Sequence, residues 1–311
     1  MRILVVGNVN VDILMGRVDS WPERGTEVIL PEFEQRLGGP LGNMALALHS
    51  LGARSAYFAN VGSDGLGHQV TEELTRTGCT PEVSSGPTSV TVGLVHGDGQ
   101  RTFFTSPGHL EKFSLEQAFR AVEEAQPGEI LMVCGYFLLP VLRREAGRLL
   151  ERARSKGLVT ALDTGWPPGG WDEATRFEIR SLLPDVTWFL PNDVELEGVT
   201  ADLPAEAGLA ERLEFLDGDR YGTTLVKLGP EGAAWLRDGR LQRVRARPVE
   251  VVDTVGAGDS FNAGFLAALQ HDCNIREAAA LAVAVAGTAI STSPRRYPRW
   301  EELKVGGYGD G

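Results

Sequence analysis

Cysteine is scarce in this chain: Cys79, Cys134 and Cys273 stand far apart among 311 residues. They form no C-x-x-C pair, and so scattered and odd a set excludes a disulfide framework; the expectation is a reducing, cytoplasmic setting. His49, His68, His96, His109 and His271 show no metal-ligand spacing and read as incidental. No apolar stretch approaches the length that spans a bilayer. The opening MRILVVGNVNVDILMG has a short apolar run without the layout of a signal peptide. Positive charge is short as well, with 30 Lys and Arg against 42 Asp and Glu, a net charge of −12. That balance argues against a nucleic-acid or anionic-membrane partner. It leaves room for an anionic small ligand, because converging backbone N–H groups bind phosphate whatever the net charge. A G-x-G-x-x-G fingerprint is missing after the first strand, where GNVNVD stands, and this weakens any nicotinamide dehydrogenase reading.

What is present is an alternation. Short, continuous apolar runs at 3–9, 55–62, 130–136, 158–163, 186–191 and 223–229 read as strands covered on both faces. Between them lie helical patterns near 42–51, 66–76, 114–125, 140–156, 172–183 and 204–216, and 258–291 gives two consecutive helices rich in Ala and Gly. The alternation predicts an α/β fold, a doubly wound and mostly parallel sheet with helices on both faces. Two segments break the rhythm. TEVILPEFEQRL (26–37) and TSVTVGLVHGDGQRTFFT (88–105) look like strands without crossover helices, the second with a GDG hairpin signal. The expectation is one domain over 1–311, carrying a small β-sheet lid formed from about 12–37 and 88–105.

The stretch DTVGAGDSFNAGF (253–265) sets small residues and an Asp directly before a long apolar helix. A helix N-terminus exposes unpaired N–H groups and a partial positive charge, which favours phosphate. Gly256 and Gly258 let those groups converge unobstructed. An Asp there can accept the proton of a hydroxyl that attacks phosphorus, although the same pattern also describes a plain cap and turn.

The whole string resembles the C-terminal signature of the ribokinase-like (PfkB) family of carbohydrate kinases. GGPLGNMALALHSLGARSAYFANVGSDGLG (38–67) resembles the N-terminal signature of that family, and the likeness runs over nearly the whole chain. The resemblance implies Asp259 as catalytic base, with the backbone of Gly256, Ala257 and Gly258 as an anion hole. It implies that Asn10 and Asp12, from GNVNVD, grip sugar hydroxyls, as a carboxylate accepting from two hydroxyls does. Gly38 and Gly39 would bring backbone close to the sugar, and Asn43 would reach a hydroxyl. Ribokinases proper carry Lys where Pro40 stands, which weakens ribose as the acceptor.

PNDVE (191–195) resembles the N-x-x-E motif of the family, placing Asn192 and Glu195 near Mg²⁺ and the nucleotide phosphates, Glu195 acting through water. The same residues also spell a capping box. KLGPEG (227–232) resembles the nucleotide-binding turn, with Lys227, Gly229 and Gly232, though relatives often carry a small hydroxyl residue in place of Lys227. Arg101, in the lid hairpin, is a candidate for an anionic group on the substrate. Many relatives bind a monovalent cation such as K⁺ through residues equivalent to Asp253 and Val255; the partner loop STSPRRYPRW (291–300) is shorter than usual and basic. The implied activity is ATP-dependent phosphorylation of a primary hydroxyl on a sugar or sugar acid, with ATP as co-substrate. A nucleoside kinase of the same family is the alternative, and a non-catalytic sugar-binding relative a further one. Exposed lid strands invite edge pairing, so a homodimer through the lid is expected.

Overall fold

The computed structural model describes residues 1–18, 20–30, 32–96, 101–218 and 222–305. The first part of the chain runs β1 (Ile3–Val6), β2 (Asn10–Val18), β3 (Glu32–Gly38), α1 (Pro40–Ser50), β4 (Ser55–Phe58), β5 (Asn60–Gly62), α2 (Gly65–Thr75), β6 (Glu82–Ser84), β7 (Val90–His96) and β8 (Arg101–Thr105). The middle gives α3 (Glu116–Glu124), β9 (Ile130–Cys134), α4 (Pro140–Ser155), β10 (Val159–Asp163), α5 (Glu173–Leu182), β11 (Trp188–Phe189), α6 (Asp193–Val199) and α7 (Leu209–Asp217). The last part holds β12 (Thr223–Thr224), β13 (Val226–Lys227), β14 (Ala233–Arg237), β15 (Arg240–Val244), α8 (Ala257–Gln270), α9 (Ile275–Ile290) and α10 (Trp300–Val305).

Six strands form the parallel central sheet in the order β12-β11-β10-β9-β1-β4. Its strands are continuously apolar because both faces are covered. Ile3 and Val5 enter the core beneath α1, α8 and α9 with Met44, Leu48, Phe265 and Val285. Leu4 and Val6, one residue out of phase, enter the opposite core with Leu142, Leu149 and Ile179. The small residues of α8 and α9 allow close packing: a β-carbon at Gly264 would lie 2.9 Å from Ala282 Cα. Sequence order reverses at β1, which has β4 on one side and β9 on the other. Such a reversal opens a crevice at the carboxyl ends of the strands.

The lid is a four-stranded sheet, β3-β2-β7-β8, with β2 parallel to β7 and the other pairs antiparallel. It differs from expectation at its edges. Strand structure starts at Asn10 and extends to Gly38, whereas 26–30 forms none. Among the described residues the β2–β3 ladder runs from the Asn10–Gly38 pair to the Gly16–Glu32 pair. The GDG turn lies outside the described residues, but β7 and β8 flank it as a hairpin requires. The helix expected from 204 begins only at Leu209, capped by Gly208, whose N–H donates to Glu211 Oε2 at 2.7 Å. Residues 223–229 split between two sheets: β12 ends the parallel sheet, and β13 joins β14 and β15. Among the described residues no helix is long and apolar enough to cross a membrane.

Candidate active site

Helix α8 begins at Gly256, which takes a left-handed φ of 72°. A β-carbon there would come within 2.9 Å of Asn43 Nδ2 and 3.0 Å of Arg295 Nη1. Backbone and surroundings both require glycine at this point. The Ala257 N–H turns back to the Thr254 carbonyl at 3.2 Å. Asp259, in the first turn, accepts a hydrogen bond from Asn43 Nδ2 at 2.8 Å. Burial raises the Asp259 carboxyl to about 6, with the charge of Asp163 adding to the rise and the Asn43 bond and Lys227 opposing it. The residue as a whole is nonetheless partly open to solvent.

Beside α8, the carboxyl ends of the strands bring a second group together. Lys227, closing β13, donates from Nζ to Asp163 Oδ2 at 2.6 Å. Asn262 Nδ2, one turn along α8 from Asp259, donates to the same oxygen at 2.5 Å, and the Gly165 N–H donates to Oδ1 at 3.1 Å. All three side chains are buried. Burial alone would lower the Lys227 ammonium; the charges of Asp163 and Glu195 outweigh it and hold the group above the usual lysine range. A β-carbon at Gly258 would lie 3.4 Å from Lys227 Nζ, so the ammonium sits against the glycine segment of the helix start. Asp163 and Asn262 are absent from the sequence expectations. The available signal is an Asp at the carboxyl end of a buried strand, where open α/β sheets bind ligands.

Asn192 and Glu195 form the capping box of α6. Asn192 Oδ1 accepts from the Glu195 N–H at 2.7 Å, and Glu195 Oε2 accepts from the Asn192 N–H at 2.9 Å. Glu195 is also part of the charged cluster: burial, followed by the charge of Asp163, raises it to about 7 against the pull of Lys227. One oxygen is committed to the cap and the side chain is buried. This fits a group that acts on a hydrated divalent ion through water. Among the described residues no three acidic, His or Cys side chains cluster to hold a metal directly. In the neighbouring turn, Gly229 takes φ 52° with open space around it. Gly232 takes φ 94°, and a β-carbon there would strike the Val244 carbonyl at 2.0 Å. That glycine is explained by the approach of β15.

On the lid side, Asn10 is used internally. Its Nδ2 donates to Asp12 Oδ1 at 2.7 Å and Thr91 Oγ1 at 3.1 Å, while its Oδ1 accepts from Asn8 Nδ2 at 3.3 Å. In this geometry the Asn10 amide orients Asp12. The Asp12 carboxyl is buried and raised above its usual range by that burial, against the Asn10 bond and the charge of Arg36. A β-carbon at Gly38 would lie 2.2 Å from Asp12 Cγ, and one at Gly39, with φ 81°, would lie 2.6 Å from the Asn8 carbonyl oxygen. Gly38 leaves the room that the Asp12 carboxylate fills, and Gly39 the room for the backbone of Asn8 and Val9. Asn43 is turned to Asp259. Arg101 opens β8, and its side chain lies outside the described residues.

Asp253 receives two guanidinium groups on one oxygen. Arg36 Nη1 reaches Oδ2 at 2.7 Å and Arg295 Nη2 reaches it at 2.5 Å. The Val255 N–H donates to Oδ1 at 3.0 Å. Burial would raise this carboxyl, yet the Val255 bond and the two arginines hold it below the usual carboxylate range.

A model of the pfkB family carbohydrate kinases matches residues 2–301. The chain is 28% identical to a ribokinase of Arabidopsis thaliana over 94% of its own length and 79% of that protein. It is 28% identical to a fructokinase of Rhizobium leguminosarum bv. trifolii, over 87% of this chain and 80% of that one. Among solved structures, a probable sugar kinase from Rhizobium etli superposes with a TM-score of 0.82 at 24% identity, covering 98% of both chains. The Arabidopsis thaliana ribokinase complexed with ribose and ATP gives a TM-score of 0.79 at 23% identity, covering 97% of both.

Proposed function

The chain belongs to the pfkB family of carbohydrate kinases, phosphotransferases with an alcohol acceptor, and we propose that it moves the γ-phosphoryl group of ATP to a primary hydroxyl of a sugar or sugar acid. The observation that carries this reading is Asp259, raised to about 6, beside the glycine-started helix. Such a carboxylate is mostly ionised at neutral pH, yet basic enough to take a proton as phosphorus is attacked. Asn43 orients it; of the backbone at Gly256, Ala257 and Gly258, the two glycine N–H groups would face the charge that develops on the transferring group, while the Ala257 N–H is held by the Thr254 carbonyl. Lys227, held charged by Asp163, adds a fixed positive charge beneath that backbone. ATP would arrive as its Mg²⁺ complex, the ion neutralising phosphate charge, with Glu195 and Asn192 holding its water shell. Asp12, oriented by Asn10, would accept from acceptor hydroxyls, and the lid would exclude water so that the sugar hydroxyl attacks.

One observation keeps a nucleoside acceptor in view. Phe103 pairs with Gly93 in the lid and is half exposed, on the face that also carries Asp12 and Leu14. A ring there can stack on a base. The proposal extends to a cytoplasmic enzyme that pairs with a second copy through the outer face of the lid. The test is ADP release with Mg²⁺·ATP across ribose, fructose, 2-keto-3-deoxygluconate, hexose phosphates and nucleosides. Turnover on one sugar or sugar acid supports the reading, and preference for a nucleoside transfers it to the alternative. No turnover on any acceptor, with ATP still bound, leaves a binding protein.

A further inference from the structure

The family resemblance implies a monovalent cation at Asp253 and Val255, and the residues around Asp253 do not fit one. Oδ2 already accepts from Arg36 Nη1 and Arg295 Nη2, and Oδ1 from the Val255 N–H. A metal ion approaching Oδ2 would meet two full positive charges within hydrogen-bond distance of that atom. Among the described residues Arg36 Nε and Nη2 and Arg295 Nε have no acceptor, so donors outnumber acceptors here. Around this cluster stand Glu34, 3.3 Å from Arg36 Nη1 and largely in solvent, and Asp12, whose charge acts on Arg36. Neither changes the excess at Asp253 itself.

We propose that Arg295, assisted by Arg36, is a built-in cation for the loop that forms the anion hole, and that phosphoryl transfer by this chain needs no K⁺. The inference rests on the kinase reading. Its geometric basis is the path from Asp253 to Gly256. The Val252 and Asp253 N–H groups are tied to the Ile290 carbonyl at the end of α9, at 2.8 and 3.1 Å. Arg295, from the loop after α9, holds the Asp253 carboxylate from the other side. Its Nη1 would lie 3.0 Å from a β-carbon at Gly256, the residue whose left-handed turn starts α8. Arg36 belongs to β3 and pairs in register with Asp12. One ion cluster therefore joins the sugar-facing lid strand to the loop before the catalytic helix. Arg295 is a positioning residue: it acts through Asp253 on where the Gly256, Ala257 and Gly258 backbone sits. A tethered guanidinium does this without the loss of freedom that capture of a free ion entails.

The experiment compares KCl, NaCl and tetramethylammonium chloride at fixed ionic strength, for the full chain and for Arg295→Ala. The wild-type rate should agree within about twofold across the three salts, and its melting temperature should not rise with K⁺ specifically. Arg295→Ala should lose at least tenfold in kcat with a smaller change in acceptor KM. Added K⁺ or guanidinium should restore part of that rate, and K⁺ should raise the melting temperature of the variant alone. Arg295→Lys, which keeps a charge and guards against a misfolded alanine variant, should stay independent of K⁺. A wild type accelerated more than about fivefold by K⁺ overturns the proposal. So does an Arg295→Ala protein whose rate and melting temperature respond to neither cation. The thermal arm needs no turnover, so a chain inactive on every acceptor defeats the kinase reading while this arm still decides the cation.

Discussion

Asp259 carries a conflict between stability and chemistry that can be measured. Its carboxyl sits near 6 in the folded protein, against 3.8 for the ordinary group. A group raised on folding favours the fold below its unfolded value, and that contribution is lost as pH rises through the folded value. At pH 7 Asp259 is therefore a liability for the fold and an asset for proton transfer. Asp259→Asn should gain about 1–2 kcal/mol of stability at pH 7 and lose that advantage near pH 4, read by urea denaturation at both pH values. In the wild type, kcat/KM should fall on the acid side with a midpoint near 6, as the base becomes protonated. Asp163 presents the opposite case. It is the buried partner of Lys227, and removing one member strands the other. Asp163→Asn should cost about 3–5 kcal/mol in denaturant unfolding, and a variant as stable as the wild type would show that the pair contributes nothing. Asp259 was legible because it lies inside a long local string. Asp163 was not, because its meaning depends on Lys227, 64 residues away, and on Asn262, 99 residues away.

At the scale of the element, the start of α8 is the decisive feature. Gly256→Ala puts a β-carbon against Asn43 in a backbone that L side chains rarely adopt. The expected cost is about 1–3 kcal/mol by thermal unfolding, with kcat falling further than stability explains, because the same turn aims the N–H groups. Helix α8 and its partner α9 were readable from their small-residue pattern, and α1, α2, α4 and α5 fall within two residues of expectation. Short elements were harder. The capping box of α6 was recognised as a helix start, but seven residues give too little periodicity to declare a helix. The run 223–229 reads as one strand, and only tertiary pairing with β11 on one side and β14 on the other divides it. Asn10 and Asp12 lie in one local stretch with Asn8, but the bond from Asn10 to Thr91, 81 residues away, depends on the pairing of β2 with β7.

At the scale of the whole molecule, the doubly wound sheet followed from uninterrupted apolar strands, and the lid from segments that lacked crossover helices. The two faces of the lid differ. One carries Asp12, Leu14 and Arg36, with Arg36 paired to Asp253. The other carries Ile13, Met15, Val92 and Leu94 together with Phe33 and Phe104, which are 66% and 50% exposed. Trp21 lies 6.0 Å from Phe104, ring to ring, and extends the apolar surface. Such a patch on a lid is expected to pair two copies. Light scattering at micromolar concentration should give a dimer for the wild type and a monomer for Phe33→Glu/Phe104→Glu; a monomeric wild type removes the dimer. The ion cluster that joins the lid to the loop before α8 was invisible in sequence, because Arg36 and Asp253 stand far apart along the chain.

The most direct test of the account is the turnover of Asp259→Asn on the preferred acceptor, measured with ATP affinity in the same preparation. The account predicts a loss of roughly 10²–10⁴-fold in kcat with ATP binding kept within a few-fold, as removal of a positioned base requires. A variant that turns over at the wild-type rate would contradict it, and the helix start at Gly256 would then be a cap and a turn with no part in the chemistry.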